Sequence, residues 1–519
     1  MLNLIAVIIV RLNSFRGRKA AVMFRRFNSY LHKNWTPVTF SVLLFLTLFP
    51  LIFDDLYYNI TITKYKTYVI LSCGILLFAL SETFLKKKKL HISPTDKVYL
   101  YFLGVCTISC LGSDWEKESF TGSSGKYVGL LFLLLSFGIY YGVSRYFRIN
   151  RIITLSFPLI LILTTTLSLS QFFGHDPFGF YKDMAVGTDI MYLSTFGHID
   201  VYAAFLCVYF PFCLYYAIFE SSTWFILYLT GAVAGILGIL CCNSDSSYLG
   251  LCVSLAVLFC LSLKSIRTGQ RFLIVSVVLY LSLLFFRLLL KSGEHRELSK
   301  ITSFLLSDLM MIIFAAVLLL FGLFLLWCRH QNGMLPAGAF KVSAIFFISL
   351  ICLIFATFIW FSVFDRNTDL DWLTNYLRFH DHWGSDRGYV WKWCFQLFTT
   401  GTLWFQIFGG GPDTTTLLLE RTYHDEMYQT LGVYYASAHN EYLNYLVTIG
   451  LAGLIFYLIL LGRSVISAYG KINKDPFYGG VFIALLSYAT MAFVNISQPI
   501  TMPFVFLLIA FANVEEAEN

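Results

Sequence analysis

Charge is what this sequence has least of. Asp, Glu, Lys and Arg make up 13% of its 519 residues, against 58% apolar ones, where an ordinary soluble chain carries nearer a quarter charged residues. That scarcity excludes a soluble enzyme and a disordered chain. No domain-sized basic face stands apart from the apolar segments, which excludes a nucleic-acid-binding domain. Paired cysteines are missing too: the 12 cysteines include no CxxC, and Cys106, Cys110, Cys241 and Cys242 lie within apolar runs, while Cys394 sits in a more polar stretch. Such spacing supports neither a disulfide framework nor a zinc site. A secretory signal is also lacking. Met1 to Val10 is apolar but too short to span, with no basic region before it and no small-residue cleavage site after it. It reads as an interfacial segment, or the native start is Met23.

Long apolar runs are what the sequence does have. A helix needs about 20 mainly apolar residues to cross the hydrocarbon core, because every backbone polar group must be satisfied within the segment. Candidate spans fall near 37–53, 67–85, 98–111, 128–144, 152–173, 198–219, 224–242, 248–263, 272–286, 301–328, 342–363, 441–462, 479–494 and 501–513. They are apolar all round, unlike the single stripe of a soluble amphipathic helix. The expected fold is an all-α polytopic membrane protein of about 12–14 transmembrane helices, with one large extracytoplasmic loop containing short helices. Residues 1–36 form a cytoplasmic basic segment, 37–363 the helical core, 364–440 the large loop, and 441–519 the C-terminal transmembrane helices.

Orientation follows from the 37 Lys and Arg residues. With the N-terminus inside, most of them fall in inner segments, at over twice the density of the outer ones. The inner set includes Arg16, Arg18, Lys19, Arg25, Arg26, the run Lys86–Lys89, and Arg145, Arg148 and Arg151. Both termini are therefore expected in the cytoplasm. The net charge of +7 is a topology signal first, and attraction to anionic lipid is its by-product.

One outer loop differs from the rest. From Phe364 to Asn440 the chain runs about 77 residues without a convincing span, and a connection that long is functional or disordered. Trp372, Trp383, Trp391, Trp393 and Trp404 lie in it, which argues for order and for a cap over the membrane domain. Its stretch from Tyr389 to Phe408 is aromatic and weakly amphipathic, so it can lie along the outer interface as a helix. The polar residues gather in three clusters: Asp386-Arg387-Gly388-Tyr389-Val390-Trp391, Gly409-Gly410-Gly411-Pro412-Asp413-Thr414, and Ala438-His439-Asn440-Glu441-Tyr442-Leu443. The last runs straight into the apolar span from Asn444 to Leu461, which puts His439 at the N-terminal mouth of a transmembrane helix.

Each cluster has a bland reading. An Arg beside Gly is commonly a solvated turn residue. A Gly-Gly-Gly-Pro run is commonly a flexible turn, and here it lacks the Lys-Ser/Thr of a nucleotide-binding loop. A His before a helix is commonly a polar N-terminal residue. Their joint presence in one long loop, beside a membrane that can supply a lipid substrate, favours a functional reading.

The string His439-Asn440-Glu441-Tyr442-Leu443-Asn444-Tyr445-Leu446, followed by Gly450-Leu451-Ala452-Gly453-Leu454, resembles the signature of the O-antigen ligase and Wzy-type polysaccharide polymerase superfamily. Gly125-Lys126-Tyr127-Val128-Gly129-Leu130-Leu131 resembles an early family segment that usually has Arg where Lys126 stands. Thr195-Phe196-Gly197-His198-Ile199-Asp200-Val201-Tyr202 resembles the middle segment that opens a span. Arg387 to Trp391 and Gly409 to Thr414 resemble parts of the family's large loop, and Asn495-Ile496-Ser497-Gln498-Pro499 its last outer turn. One element departs. Many ligases carry Ser-Arg after a middle span, and the matching stretch here, Asn243-Ser244-Asp245-Ser246-Ser247, holds no cation.

The resemblance implies a glycosyltransferase of the bacterial plasma membrane. Its donor would be a glycan on a polyprenyl diphosphate, and its acceptor a hydroxyl of another glycan or lipid-linked glycan, joined at the outer face. Membrane lipids are the remaining partner, and no nucleic acid is expected. Such a reaction needs a base for the hydroxyl, cations for the leaving diphosphate and a groove for the lipid. Arg387 suits the diphosphate, because its planar fork stays protonated and binds phosphate oxygens bidentately. His439 suits the base, since a neighbouring cation and a helix N-terminus both keep its ring neutral. Lys126, Arg287 and Arg421 are the candidates for the second cation. Asp413, Glu441, His198 and Asp200 are candidate glycan or diphosphate contacts, although Glu441, two positions along a helix from His439, should point away from it. Arg287 and Asp308 can form an ion pair near the outer ends of neighbouring spans. No cofactor and no metal are expected, given that Arg can supply the charge. The alternative from another class is a lipid-linked oligosaccharide flippase. It would show two similar halves with broken helices at matching positions, and no such repeat is visible.

Overall fold

The computed structural model describes residues 35–86, 92–123, 125–185, 187–291, 293–331, 333–496 and 498–515. Met1–Val10, Met23, the basic residues Arg16 to Arg26, Lys87 to Lys89 and Ser497 lie outside the described residues, as does nearly all of the expected 1–36 segment.

The chain is built of helices. The first half holds α1 (Pro37–Leu51), α2 (Ile60–Lys86), α3 (Pro94–Leu111), a short α4 (Glu116–Thr121), α5 (Leu130–Tyr146), α6 (Arg151–Phe172), α7 (Ile199–Phe219), α8 (Phe225–Cys242), α9 (Asp245–Ser262) and α10 (Ile266–Leu290). A two-stranded hairpin, β1 (Tyr192–Leu193) with β2 (Gly197–His198), pairs Tyr192 with His198 and leads into α7. Local sequence sets the helix starts. Ser93 and Asp96 close a reciprocal capping box on α3, and Asn150 caps α6 through the Ile153 N–H, satisfying donors that a helix end leaves open.

Ten helices among the described residues are long and apolar enough to cross a membrane, and α1, α5 and Met502–Ala512 are shorter apolar helices. The chain is thus an all-α polytopic membrane protein. α7 lies at its centre, buried along its whole candidate span and packed against α6, α8 and α9. A helix apolar on every side can be buried on every side.

Two expected spans are interrupted. The run 301–328 divides into α11 (Lys300–Leu305) and α12 (Asp308–Gln331). The run 441–462 divides at Ile449 and Gly450. Beyond α13 (Ala339–Ile359) come α14 (Thr374–Leu377), α15 (Trp383–Thr400), α16 (Leu403–Phe408) and α17 (Thr415–Leu431). After them stand α18 (Glu441–Thr448), α19 (Gly450–Gly470), α20 (Pro476–Met491) and α21 (Met502–Ala512). His439 therefore precedes an eight-residue helix, and the long apolar helix begins only at Gly450. The cause is local: Gly450 adopts φ +67°, a left-handed conformation that ends α18 and that glycine enters without a Cβ penalty.

The long segment between α13 and α18 is ordered by its own apolar core. Val390, Trp393 and Cys394 of α15 meet Leu418, Leu419 and Met427 of α17, together with Ala438 and Val447. α15 turns this face inward and leaves Phe395 exposed, and the stretch from Tyr389 to Phe408, expected as one helix, is divided between α15 and α16.

Candidate active site

Arg387 stands where α15 becomes regular. Gly384, Ser385 and Asp386 before it all have positive φ, so the helical conformation starts at Arg387. Gly388 follows because a Cβ there would collide with the His380 carbonyl. One turn on, Trp391 donates its indole N–H to the carbonyl of Ala438 at 2.8 Å. That bond ties the helix bearing Arg387 to the residue preceding His439.

His439 has φ +48°, an uncommon conformation for a side chain of its size. Its backbone N–H donates to Ser437 Oγ at 3.2 Å, and Asn440 caps α18 by accepting from the Leu443 N–H at 3.0 Å. The ring lies 5.9 Å from that of Tyr435. Its Nδ1 is buried with no hydrogen-bond partner among the described residues. Burial first, and then the Arg387 guanidinium, pull the His439 imidazole down from 6.5 to about 3, against an opposing pull from Asp200. His439 is therefore neutral near pH 7.

Asp200 draws the remaining parts together. Its Oδ2 lies 3.5 Å from Arg387 Nη2 and 3.8 Å from His198 Nδ1. Its Oδ1 accepts from Ser244 Oγ at 2.6 Å, and Ser244 shares a further hydrogen bond with Ser246 at 2.9 Å. Asn495 donates from Nδ2 to the Asp200 carbonyl and to Ser246 Oγ, at 2.9 and 3.2 Å. The side chains of Arg387 and Asp200 are 18% and 10% exposed, so the pair is largely removed from water, and a charge in such a place needs its partner. The cation-free stretch at 243–247 thus meets Asp200 and, through it, Arg387. Asp245 in that stretch accepts from the Tyr376 hydroxyl at 2.9 Å.

Lys126 and Asp413 face the same region from another side. Both line a cleft with Ser437, Asn444 and Tyr445. Asp413 Oδ2 accepts the backbone N–H groups of Ser123 and Val128 at 2.8 and 3.0 Å, which fixes the loop carrying Lys126. Burial lowers the Lys126 ammonium to about 8, partly offset by Asp413. Burial likewise raises the Asp413 carboxyl, against the pull of Lys126. The Lys126 charge also acts on His439.

The remaining expected residues are placed as follows. His198 caps α7, its Nδ1 accepting from the Asp200 N–H at 3.2 Å, and it also borders the Arg387–Asp200 pair. Arg287 pairs with Asp308 at 2.5 Å. Arg421 pairs with Asp114 at 2.5 Å and lies over the Trp115 ring. Neither arginine has a contact with Arg387, Asp200 or His439. Glu441 points away from His439 into the helices, where it accepts from the hydroxyls of Tyr457 and Tyr488.

The Gly-Gly-Gly-Pro run is not the flexible turn of its bland reading. The Gly410 and Gly411 N–H groups donate to the Val447 and Thr448 carbonyls at 3.0 and 2.8 Å. A Cβ at Gly409 would strike the Thr448 backbone. The run is a close backbone contact against the break between α18 and α19. Sequence reasoning also missed roles for Trp391, Ser244 and Asn495. The i, i+4 spacing of Arg387 and Trp391 was the available signal for the first.

All twelve cysteines are free. Among the described residues no group of three or more His, Cys, Asp or Glu could hold a metal ion. No curated protein matches this chain. The family model Wzy_C, described as O-antigen ligase, matches residues 301–458, a stretch that holds Arg387, Asp413, His439 and Glu441. The chain is thus a multi-pass membrane protein whose residues 301–458 are similar to the O-antigen ligase family.

Proposed function

We propose that this protein transfers a glycan from a polyprenyl-diphosphate carrier to a sugar hydroxyl at the outer face of the bacterial plasma membrane, as a repeat-unit polymerase or a ligase. His439 takes the proton of the acceptor hydroxyl as that oxygen forms the new bond to the anomeric carbon of the donor. The bond from that carbon to the diphosphate oxygen breaks, and Arg387 and Lys126 stabilise the charge that grows on the leaving group. The excess of basic residues in the expected inner segments supports a reaction on the outer side.

The observation that carries this reading is that Arg387 pairs with Asp200, that both charges act on the His439 imidazole, and that a hydrogen bond from Trp391 to Ala438 joins the segments carrying Arg387 and His439. His439 is neutral there and has a ring nitrogen without a partner. At about 3 it is a weak base before the donor binds, because the best general base titrates near the working pH. A bound diphosphate neutralises the two cations that depress it and raises its basicity when the acceptor is in place.

The test is to express His439→Ala and Arg387→Ala in a strain lacking the gene, and to measure surface polysaccharide and lipid-linked glycan. The expected result is properly inserted protein, no product, and lipid-linked units that accumulate on the outer side. Normal product with His439→Ala would overturn the mechanism. Units held on the cytoplasmic side would point to a flippase.

A further inference from the structure

The outward face of α17 carries aromatic rings where a helix needs none. Tyr423 and Met427 turn inward to the small core, while the next residues, His424 and Tyr428, turn outward. Gly432, at φ +69°, ends the helix and folds Tyr434 back over them. The His424 and Tyr434 rings stack at 4.6 Å with 25° between planes, and Tyr434 and Tyr428 at 5.9 Å with 21°. A hydrogen bond of 3.1 Å links the Tyr434 hydroxyl to His424 Nε2. Closing the helix end would require one ring. Here Tyr428 and Tyr434 remain 60% and 47% exposed.

We propose that this ladder, His424–Tyr434–Tyr428, is a glycan-binding track that takes the apolar faces of sugar rings lying beyond the reacting sugar. The proposal rests on the glycosyltransferase reading above. Flat aromatic faces held in place by one another lose little freedom on binding, and they offer the amphipathic contact that a sugar needs, with polar edges alongside. Glu420 and Asp425 are exposed beside the ladder and can accept hydrogen bonds from sugar hydroxyls. Arg421, the nearby cation, is engaged by Asp114. The patch is therefore acidic, which disfavours docking on anionic lipid.

Continuity with the site points the same way. Tyr434 is followed by Tyr435, whose ring faces His439 at 5.9 Å and whose hydroxyl donates to the Ser385 carbonyl at 3.1 Å. Thr416 of α17 holds the Ala436 carbonyl at 2.8 Å. A glycan leading away from His439 along this segment passes Tyr435 and reaches the ladder.

The experiment uses the full chain in lipid nanodiscs, with glycans of one repeat or of several repeats prepared from the source strain. One arm lengthens the lipid-linked donor and the other lengthens the acceptor, so the arm that responds identifies which glycan lies on the ladder. The double variant Tyr428→Ala/Tyr434→Ala should raise KM for the long glycan about ten-fold in one arm, with kcat and the single-repeat KM unchanged. Tyr428→Phe/Tyr434→Phe, which keeps the rings, should behave as the parent. Tyr428→Ser alone, at the exposed end, covers the case in which the double variant fails to fold, and should raise the same KM about three-fold. Unchanged KM for both long glycans, or equal loss at both lengths, would overturn the track. Activity that survives His439→Ala in this assay would instead overturn the underlying reaction, whatever the ladder does.

Discussion

Trp391 and Ala438 are joined by one hydrogen bond of 2.8 Å between an indole N–H and a backbone carbonyl. Through it, the position of the proposed base depends on the helix that carries the proposed phosphate ligand. Trp391→Phe keeps most of the ring and removes the donor. It should cost about 1 kcal/mol in stability and lower kcat by about ten-fold, since small misplacements of reacting groups are expensive. Thermal unfolding and initial rates measure the two effects separately. A loss of stability with unchanged kcat would make the bond purely structural.

The depressed His439 imidazole predicts a difference between two pH profiles. A base works only when deprotonated, so activity falls as pH drops through its pKa. In the free enzyme, reported by kcat/KM, that limb should lie far below 6.5, toward about 3. In the substrate complex, reported by kcat, the diphosphate offsets Arg387 and Lys126, and the limb should move up. Coincident limbs would remove the role given to the donor. The same shift bears on folding. Below the ordinary value of 6.5 the unfolded chain binds the proton more readily, so this residue's contribution destabilises the protein progressively from about pH 6.5 down to about 3.

Lys126 should act on the donor and not on the acceptor. Lys126→Ala is expected to raise KM for the lipid-linked donor about ten-fold or more, as loss of a charge-assisted contact does. Lys126→Arg should recover most of it, because the positive charge is retained. Measured donor and acceptor KM values decide this. Failure of the Arg variant with normal folding would show that the shape of the ammonium, and not its charge, is what matters.

Glu441 is 1% exposed and hydrogen-bonded by the hydroxyls of Tyr457 and Tyr488, a setting that predicts a role in stability. Glu441→Ala leaves two buried hydroxyls without their acceptor and should cost about 2–4 kcal/mol. Tyr488→Phe should cost less, about 1 kcal/mol. Thermal melts in detergent compare them. If Glu441→Ala melts like the parent while losing activity, the carboxylate belongs to the chemistry instead.

The helices were legible in the sequence because a continuous apolar run has few other outcomes. The interruptions at 306–307 and 449–450 were not, since glycine and serine are tolerated inside apolar helices and only tertiary contact shows whether one breaks. Arg387 and His439 stood out as polar residues in one ordered segment. That Glu441 turns away from His439 followed from helical spacing alone. Arg421 looked equivalent to Lys126 as a spare cation, but Asp114, in another segment, engages it, whereas the pair of Arg287 with Asp308 was expected from their positions near the ends of neighbouring spans. Asp200, Ser244 and Asn495 meet from three distant stretches of chain, and no local pattern announces such a meeting. The glycines at 409–411 looked loose for the same reason: the backbone they touch lies at 447–448.

His439, Asp386, Ser385, Asp413 and Tyr127 all hold positive φ, between +48° and +67°, in the segments that build this one site. Conformations of that kind cost on the order of 1–3 kcal/mol each for residues with side chains. Glycine at these positions would relax the backbone, but at 413 it would remove the acceptor that fixes the Lys126 loop and at 439 it would delete the base. Directed selection for heat resistance alone should therefore favour glycine at 439 and return well-folded, inactive proteins. Thermostability and turnover pull in opposite directions at these few residues, and an engineer would have to hold them fixed and seek stability elsewhere.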